Sequence, residues 1–465
     1  MSETAPLGLL DRALRRIADA WRDMAAAVGP AADESILAQM RACLGARGGE
    51  VSARNRAAKL GEAYLAADAP GKLAFLQDLA TFDADPKAVA EAAARLAAAG
   101  DPPARAAATA ALRRALEPPR LRLLTQFTTI PDGVKFLVDL RSELIARRGD
   151  DMLLDALESD LRVLLASWFD VGFLDLRRID WNSPAALLEK LVAYEAVHEI
   201  RGWTDLKNRL DSDRRCYAFF HPRMPAEPLI FVEVALVKGL AGSVQALLDE
   251  DAPVLDVREA DTAIFYSISN CQRGLSGISF GNFLIKRVVE ELGQEFRHLG
   301  TFATLSPVPG FRRWLAAAIA NDQPDLLRKA EAAVLAAAAL AAAVPETLGG
   351  TAALAALLSR ADCARGGSMP ALLEPILLRL CAHFLLHEGR GTRAADPVAH
   401  FHLSNGARIE RICSLADLSS KGMKESAALM VNYLYDPAQI ERNHEDYAGE
   451  GKRNAAPAIG RLLKP

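Results

Sequence analysis

A glycine-rich segment in the middle of the chain has the residue types of an anion-binding turn. The segment "CQRGLSGISFGNFLIKRVVEEL", residues 271–292, follows the apolar run "TAIFYSISN" and carries Gly274, Gly277 and Gly281. A helix N-terminus has unpaired N–H groups and a partial positive charge, and glycines let phosphate oxygens approach those groups closely. The spacing matches neither the GxxxxGK(S/T) phosphate loop nor the GxGxxG dinucleotide fingerprint. Two alternatives therefore stay open, an anion site and a plain strand–helix turn with left-handed glycines.

A serine further along the chain stands at a second corner of the same kind. The segment "TFATLSPVPGFRRWL" predicts a strand, a polar corner and a helix, with Ser306 directly before Pro307. Proline holds the residue before it in an extended conformation, so this serine sits in a rigid position at the carboxyl end of a strand. That position suits contact with a ligand, although Ser-Pro pairs are also common in ordinary turns. The absence of a GxSxG motif argues against an α/β-hydrolase.

Four of the eight histidines lie within twenty residues. His383 and His387 are four apart on a predicted helix, and His400 and His402 are two apart on the predicted strand "AHFHLS". On a strand, residues two apart point to the same side. The spacing is not HExxH and no cysteine or aspartate pattern completes a metal site, so we expect none. His402 is the better candidate for an acid–base group, because the following Asn405-Gly406 predicts a tight turn.

The elements that must position these residues differ between the two halves of the chain. Up to about residue 166 the sequence predicts six to eight helices and no strand, separated by Pro, Gly and Asp. After residue 167, predicted strands lie at 216–221, 228–237, 262–269, 301–306 and 399–404. Predicted helices lie at 283–296, 311–320, 326–344, 369–387 and 422–434. The prediction is an α+β multidomain protein. Residues 1–166 form a helical scaffold or oligomerisation domain, and residues 167–465 form a catalytic domain with a helical insertion around 324–390.

Composition excludes several classes of protein. The net charge is −4, which gives no support for nucleic-acid binding as the main activity. The six cysteines are widely separated and contain no CxxC pair, which is typical of reduced thiols. No apolar run reaches the roughly 20 residues of a membrane span. The N-terminal segment is amphipathic but contains several acids, unlike a transit peptide, so we expect a cytoplasmic protein with no membrane partner.

Five motifs in one order resemble malonyl-CoA decarboxylase. They are "RRCYAFFHPRMPAEPLIFVEVALV", "AIFYSIS" with "GLSGISFGNFLIKRVVEEL", "LSPVPGF", "HFHLSNGA" and "ALMVNYLY". They run collinearly within residues 195–436, and the helical first half fits the N-terminal domain of that family. The resemblance implies a C-terminal domain with the fold of GNAT-type acetyltransferases.

The resemblance also implies the site residues. In the acetyltransferase-type fold a strand–turn–helix loop holds the coenzyme A pyrophosphate. The matching loop here is Ser276, Gly277, Ile278, Ser279, Phe280, Gly281 and Asn282. It loosely echoes the acetyltransferase RGxGIG motif, with a serine in place of one glycine, and some family members carry an acid where Ser279 stands. The catalytic serine and histidine of the family fall on Ser306 and His402, and Ser267 and Tyr435 match further residues around the thioester and the carboxylate. No role is carried over to His400.

The implied activity is decarboxylation of malonyl-CoA to acetyl-CoA and CO2 through a thioester enolate, with His402 protonating it and Ser306 assisting. The thioester is itself the electron sink, so no metal or organic cofactor is implied. The implied partners are malonyl-CoA and acetyl-CoA, and the family suggests a homo-oligomer, either a dimer or a tetramer. Two other functions stay open: an acyl-CoA-dependent N-acyltransferase, which would need an amine acceptor, and a non-catalytic acyl-CoA sensor.

Overall fold

The chain forms two compact units. The structure, a computed structural model, describes residues 9–26, 35–45, 49–278, 281–341, 350–359 and 368–464. The first unit takes in Met1–Asp175, Phe219–Leu229 and Asn270–Phe280, and the second takes in Leu176–Ala218, Ile230–Ser269 and Gly281–Pro465. No helix in the described ranges is long and apolar enough to cross a membrane. The predicted domain boundary after residue 166 and the predicted insertion around 324–390 stay predictions.

The N-terminal part of the first unit is helical, as predicted, with nine helices among the described residues where six to eight were expected. Its described helices are α1 (Leu9–Ala26), α2 (Ile36–Leu44), α3 (Glu50–Ala66), α4 (Ala69–Ala80), α5 (Pro86–Ala98), α6 (Pro102–Leu116), α7 (Pro119–Gln126), α8 (Gly133–Arg147) and α9 (Met152–Trp168). The side chains of Asp68, Asp85 and Asp101 accept backbone N–H groups at the starts of α4, α5 and α6, each with proline in the first turn. This combination is a strong helix start, so the sequence breaks were correctly read as boundaries between helices.

Strands and helices alternate in the rest of the chain. They are β1 (Asp175–Ile179), α10 (Ala185–Tyr194), α11 (Trp203–Arg209), β2 (Arg214–His221), β3 (Met224–Val237), α12 (Val244–Leu247), β4 (Thr262–Asn270), α13 (Gly281–Glu295), β5 (Thr301–Thr304), β6 (Ser306–Pro307), α14 (Phe311–Ala320), α15 (Lys329–Ala341), α16 (Gly350–Ser359), α17 (Ser368–His387), β7 (Gly389–Arg390), β8 (Arg393–Ala394), α18 (Pro397–Ser404), β9 (Arg408–Cys413), α19 (Ser420–Ser426), β10 (Met430–Leu434), α20 (Ile440–Glu450) and α21 (Pro457–Leu462). Strands rich in β-branched and aromatic residues account for the sheet.

An eight-stranded mixed sheet runs in the order β1-β2-β3-β4-β5-β10-β6, with β9 also paired to β10. Strands β4 and β5 are parallel, with Thr262 opposite Thr301, and α13 connects them in sequence. Strand β10 is antiparallel to β5, β6 and β9. The predicted fold class, a helical N-terminal region followed by a mixed α/β domain, is confirmed.

Two predicted elements are wrong. Residues 399–404 are not a strand but part of helix α18, because Asp396 caps its first turn and Pro397 occupies its first position. His400 and His402 therefore do not point the same way as strand neighbours would. Residues 422–434 are not one helix, since α19 ends at Ser426 and strand β10 begins at Met430. Ala427 and Ala428 break the helix with positive φ angles of 53° and 60°. Pairing with β5, β6 and β9 then outweighs the local helical pattern.

Candidate active site

Ser306 lies where the sequence predicted it, in a strand corner. It forms the two-residue strand β6 with Pro307, and β6 pairs antiparallel with β10 so that Ser306 lies opposite Val431. Its side chain is buried among these elements, with 6% of the residue exposed. The proline after it removes a backbone donor and keeps the strand short, which leaves the hydroxyl at the end of the sheet ladder.

His402 lies in the last turn of α18. The start of that helix is hydrogen-bonded to the turn that follows Ser306, residues 306–310, which we call the serine corner. The Asp396 carboxylate accepts the N–H groups of Val398 and Ala399 at 3.0 and 2.9 Å, and that of Gly310 at 2.9 Å. Gly310 directly precedes α14, four residues beyond Ser306. One buried carboxylate therefore fixes α18 against the serine corner, and burial raises its pKa. The Asp-Pro helix start was the sequence signal that could have found it.

A hydrogen-bonded chain joins three of the predicted catalytic residues. Ser306 Oγ lies 3.0 Å from His402 Nε2, and the Tyr435 hydroxyl lies 2.8 Å from His402 Nδ1. His402 and Tyr435 are almost completely buried, at 2% and 1% exposed. Because Ser306 and His402 are 96 residues apart in the chain, this contact depends on the tertiary fold.

Burial determines the protonation state of this group of residues. It lowers the pKa of His402 to about 3 and raises the pKa of Tyr435 well above its ordinary value. Both shifts follow from the cost of holding a charge away from water. An ordinary imidazole has a pKa near 6.5, so burial makes the His402 ring neutral throughout the physiological pH range.

Tyr433 is a further residue of the site that sequence reasoning missed. Its ring stacks on the His402 imidazole, with centroids 4.5 Å apart and planes at 24°. It lies in β10 and precedes Tyr435, the residue directly after that strand, by two residues in the "VNYLY" motif, and both tyrosines contact His402. That alternation could have identified it, had residues 422–434 been taken as a strand. The stacking holds the imidazole plane in one orientation.

Ser267 belongs to a different hydrogen-bonded cluster. Its hydroxyl lies 2.8 Å from both carboxylate oxygens of Glu195, and Ser269 Oγ lies 3.2 Å from Glu195 Oε2. The same carboxylate accepts the backbone N–H groups of Val197 and His198, each at 2.8 Å. The structure thus brings together Ser306, His402 and Tyr435, whereas the hydroxyl of Ser267 binds Glu195. No sequence motif pointed to Glu195, which lies just after α10.

The predicted coenzyme A loop is described in part. Ser276 and Gly277 form an exposed turn after β4, followed by half-buried Ile278, and Gly277 has a φ of +77°, which favours glycine. Ser279 and Phe280 lie outside the described residues. Gly281 and Asn282 are the first two residues of α13. The glycine-rich segment is therefore a turn between a strand and a helix, as its composition predicted.

The remaining histidines have separate environments. His383 Nε2 lies 3.3 Å from Glu388 Oε1, and the ring of His387 lies 5.2 Å from that of His383. His400 Nδ1 lies 2.8 Å from the Tyr447 hydroxyl. Within the described ranges, no three His, Cys, Asp or Glu side chains converge as a metal site would require.

Comparisons with known proteins cover most of the chain. The family model of the malonyl-CoA decarboxylase C-terminal domain matches residues 172–465, and that of the N-terminal domain matches residues 82–169. The mitochondrial malonyl-CoA decarboxylase of Rattus norvegicus is 37% identical over 361 residues, which cover 75% of this chain and 72% of the rat protein. The mitochondrial enzyme of Anser anser anser is 37% identical over 339 residues, covering 71% of this chain and 67% of that protein.

Solved structures agree with these matches. The crystal structure of malonyl-CoA decarboxylase from Rhodopseudomonas palustris has 43% sequence identity and a TM-score of 0.81, and covers 92% of this chain and 98% of its own. The crystal structure of malonyl-CoA decarboxylase from Agrobacterium vitis has 40% sequence identity and a TM-score of 0.83, and the match covers 92% of this chain and 100% of the Agrobacterium chain. The chain therefore belongs to the malonyl-CoA decarboxylase family of carboxy-lyases.

Proposed function

We propose that this chain converts malonyl-CoA to acetyl-CoA and CO2 without a cofactor, at the site formed by Ser306, His402 and Tyr435. The single observation that carries the mechanism is the 3.0 Å contact between Ser306 Oγ and His402 Nε2. Family membership supports the substrate, and the contact supports the roles of these two residues.

The reaction breaks the bond between the α-carbon and the carboxylate carbon. The electron pair of that bond moves into a thioester enolate, whose negative charge lies mainly on the thioester oxygen, and CO2 leaves. One proton then adds to the α-carbon to give acetyl-CoA. The site must therefore orient the carboxylate, donate a hydrogen bond to the developing oxyanion and deliver one proton.

The Tyr435 hydroxyl determines which ring nitrogen of His402 carries the proton. It has no other hydrogen-bond partner in the described part of the chain, and a buried O–H that donates to nothing is costly. Tyr435 therefore donates to Nδ1, and the neutral ring carries its proton on Nε2. In this tautomer Nε2–H donates to Ser306 Oγ, which leaves the Ser306 proton free to contact the substrate.

Substrate binding changes the proton balance of the site. In the free protein, burial lowers the pKa of His402 to about 3, so the ring is neutral at pH 7. The malonyl carboxylate adds a negative charge beside the ring, and an opposite charge at close range favours the imidazolium form. The ring then takes up a proton on Nδ1 as the substrate binds, with the Tyr435 hydroxyl turning to accept from it. The ring gives its Nε2 proton to Ser306 Oγ while Ser306 delivers its own hydroxyl proton to the α-carbon, which leaves the ring neutral. Such a placed donor contributes about 10²–10⁴-fold to rate.

The loop of Ser276–Asn282 holds the coenzyme A diphosphate in this proposal. Its exposed turn and its glycines suit close approach of phosphate oxygens to backbone N–H groups. The homo-oligomeric state and the cytoplasmic location stay predictions.

The test is an assay of purified protein with malonyl-CoA and EDTA in D2O. The proposal expects equal amounts of acetyl-CoA and CO2, with one deuterium in the acetyl methyl group, in the absence of any amine. Ser306→Ala should lower kcat while coenzyme A affinity, measured by calorimetry, stays unchanged. Acetyl transfer that occurs only with an added amine would instead identify an N-acyltransferase. Unchanged turnover in Ser306→Ala would remove this serine from the mechanism.

A further inference from the structure

A buried arginine of the helical region holds the backbone of the proposed coenzyme A loop. Arg141, on α8, is 1% exposed, and its guanidinium donates to the carbonyl oxygens of Gly274 at 2.5 Å and Ser276 at 2.9 Å. Glu158, on α9, accepts from the same guanidinium at 2.6 and 3.1 Å. All four residues lie in the first compact unit. The positive charge of Arg141 is thus paired with the Glu158 carboxylate on one side, and the guanidinium donates to the loop carbonyls on the other.

The loop packs directly on the backbone of α8. A Cβ atom added at Gly274 would lie 1.8 Å from the carbonyl oxygen of Val138, a distance that no side chain tolerates. Only glycine allows the loop to approach this helix so closely. The position of the loop therefore depends on α8 and not only on the strand that precedes it.

The contact with Arg141 also sets the direction of one backbone donor. A trans peptide unit is planar, with its C=O and N–H pointing in opposite directions. Because the Ser276 carbonyl points to Arg141, the N–H of Gly277 points away from it. Both Ser276 and Gly277 are exposed, and no described residue accepts the Gly277 N–H. This N–H is available to an anion.

A second arginine stands beside that donor. Arg162, on α9, is exposed and forms no ion pair with a described residue. Its Cδ lies 4.0 Å from the point that a Cβ of Gly277 would occupy. The long side chain that continues from this Cδ can bring its guanidinium to an anion bound at the Gly277 N–H, and these are the two kinds of donor that phosphate oxygens bind best.

We propose that α8 and α9 complete the phosphate-binding part of the coenzyme A site: Arg141 aims the Gly277 N–H at a phosphate, and Arg162 binds the same phosphate group. This inference rests on the proposed function of the loop and assigns a direct part in substrate binding to helices that the sequence suggested only as scaffold. Arg141 is a positioning residue, whereas Arg162 contacts the ligand.

The test compares malonyl-CoA with malonyl-pantetheine, which lacks the nucleotide phosphates. Arg162→Gln should raise KM for malonyl-CoA about tenfold to a hundredfold, the usual effect of losing a charge-assisted bond, and leave kcat unchanged. The same substitution should not change kcat/KM for malonyl-pantetheine. The matched control is Arg113→Gln, which removes an exposed charge on α6 and should change neither substrate.

Arg141→Met tests the positioning role. Hydrogen exchange of residues 270–278 should become faster, and KM for malonyl-CoA should rise at least tenfold. Its control is Arg120→Met: Arg120 is equally buried at 3%, and binds Asp160 of α9 at 2.6 Å and the Ala80 carbonyl at 2.9 Å, away from the loop. If Arg141→Met does not fold, the Arg162→Gln comparison still decides the phosphate role.

The outcomes separate this inference from the proposed function. Absence of acetyl-CoA formation by the unmodified protein would overturn the proposed function. The inference alone would be overturned if the unmodified protein is active but Arg162→Gln and Arg113→Gln show the same ratio of kcat/KM for malonyl-CoA to kcat/KM for malonyl-pantetheine. Equal loop exchange in Arg141→Met and Arg120→Met would also overturn it.

Discussion

The proposed catalytic group and the loop region differ in the charge that their side chains carry. Ser306, His402 and Tyr435 are buried and neutral, and burial itself holds the imidazole uncharged. The loop turn is exposed, and exposed Arg162 lies beside it with a charge that no described residue pairs, whereas the charge of buried Arg141 is paired with Glu158. Recognition of a polyanion requires fixed charge in contact with water, since the ligand brings its own solvation shell.

Under the proposed function, the difference allows one protein to bind the highly charged coenzyme A portion of its substrate and still perform carbanion chemistry. A permanent cation beside the α-carbon would stabilise the carboxylate of the substrate as much as the transition state, and uniform stabilisation does not raise kcat. A neutral group that gains its charge only with the substrate favours the transition state instead. Substitutions in the two regions should therefore separate kcat from affinity.

The largest effect is expected for His402→Gln. The amide keeps hydrogen-bonding capacity but cannot transfer a proton, so kcat should fall about 10²–10⁴-fold while coenzyme A affinity stays unchanged. Steady-state kinetics and calorimetry measure the two quantities. His387→Gln, on α17 and outside the catalytic group, is the control and should retain full turnover. A loss of affinity that matches the loss of kcat would contradict the separation of the two regions.

Stability should depend on pH through His402. Its folded pKa of about 3 lies below the ordinary 6.5, so the unfolded chain binds the proton more readily. The stability is full above pH 6.5 and is lost as the pH falls toward 3. Between pH 7.5 and 5 the free energy of unfolding should therefore drop by about 2 kcal/mol more in the unmodified protein than in His402→Gln. Denaturant unfolding at both pH values measures this, and parallel pH dependence of the two proteins would place the imidazole in contact with water.

Gly274→Ala should act on the loop and spare the chemistry. The added methyl group meets the Val138 carbonyl and displaces the turn, so coenzyme A affinity should fall about tenfold or more, with about 1–3 kcal/mol lost from stability. Gly239→Ala, just after β3, is the matched comparison, because nothing lies within 4 Å of its Cβ and only the φ of +67° opposes it, at a cost of about 1 kcal/mol. Calorimetry with coenzyme A measures both, and equal effects would mean that close packing on α8 does not hold the loop.

Tyr435→Phe should have the smallest effect. It keeps the ring but removes the donor to His402 Nδ1, so part of the population carries the proton on the wrong nitrogen. We expect kcat to fall about threefold to tenfold, with KM unchanged. Nitrogen chemical shifts of His402 should report a mixture of tautomers, and a single unchanged tautomer would show that another group holds the ring.

Local signals predicted much of this molecule. Asp-Ala-Pro and Asp-Pro boundaries placed α4, α5 and α6, and dense β-branched and aromatic runs placed β2, β3 and β4, because these signals act within a few residues. The same reasoning failed at β10, where pairing with three strands outweighs a helical spacing. It also failed at α18, where "AHFHLS" has the pattern of a strand but the Asp396–Pro397 start makes it a helix.

By itself the sequence determined the helical first half, strands β2 to β5 of the mixed sheet, the turn at Gly277 and the family. Its motifs also singled out Ser306, His402 and Tyr435. Only the tertiary structure decided that these three form one hydrogen-bonded chain, that Ser267 binds Glu195, that the imidazole is neutral and that Arg141 holds the loop. The physical reason is the separation along the chain over which each kind of interaction acts. Backbone preference depends on adjacent residues, whereas contact, desolvation and pKa depend on groups far apart in the chain that the fold brings together.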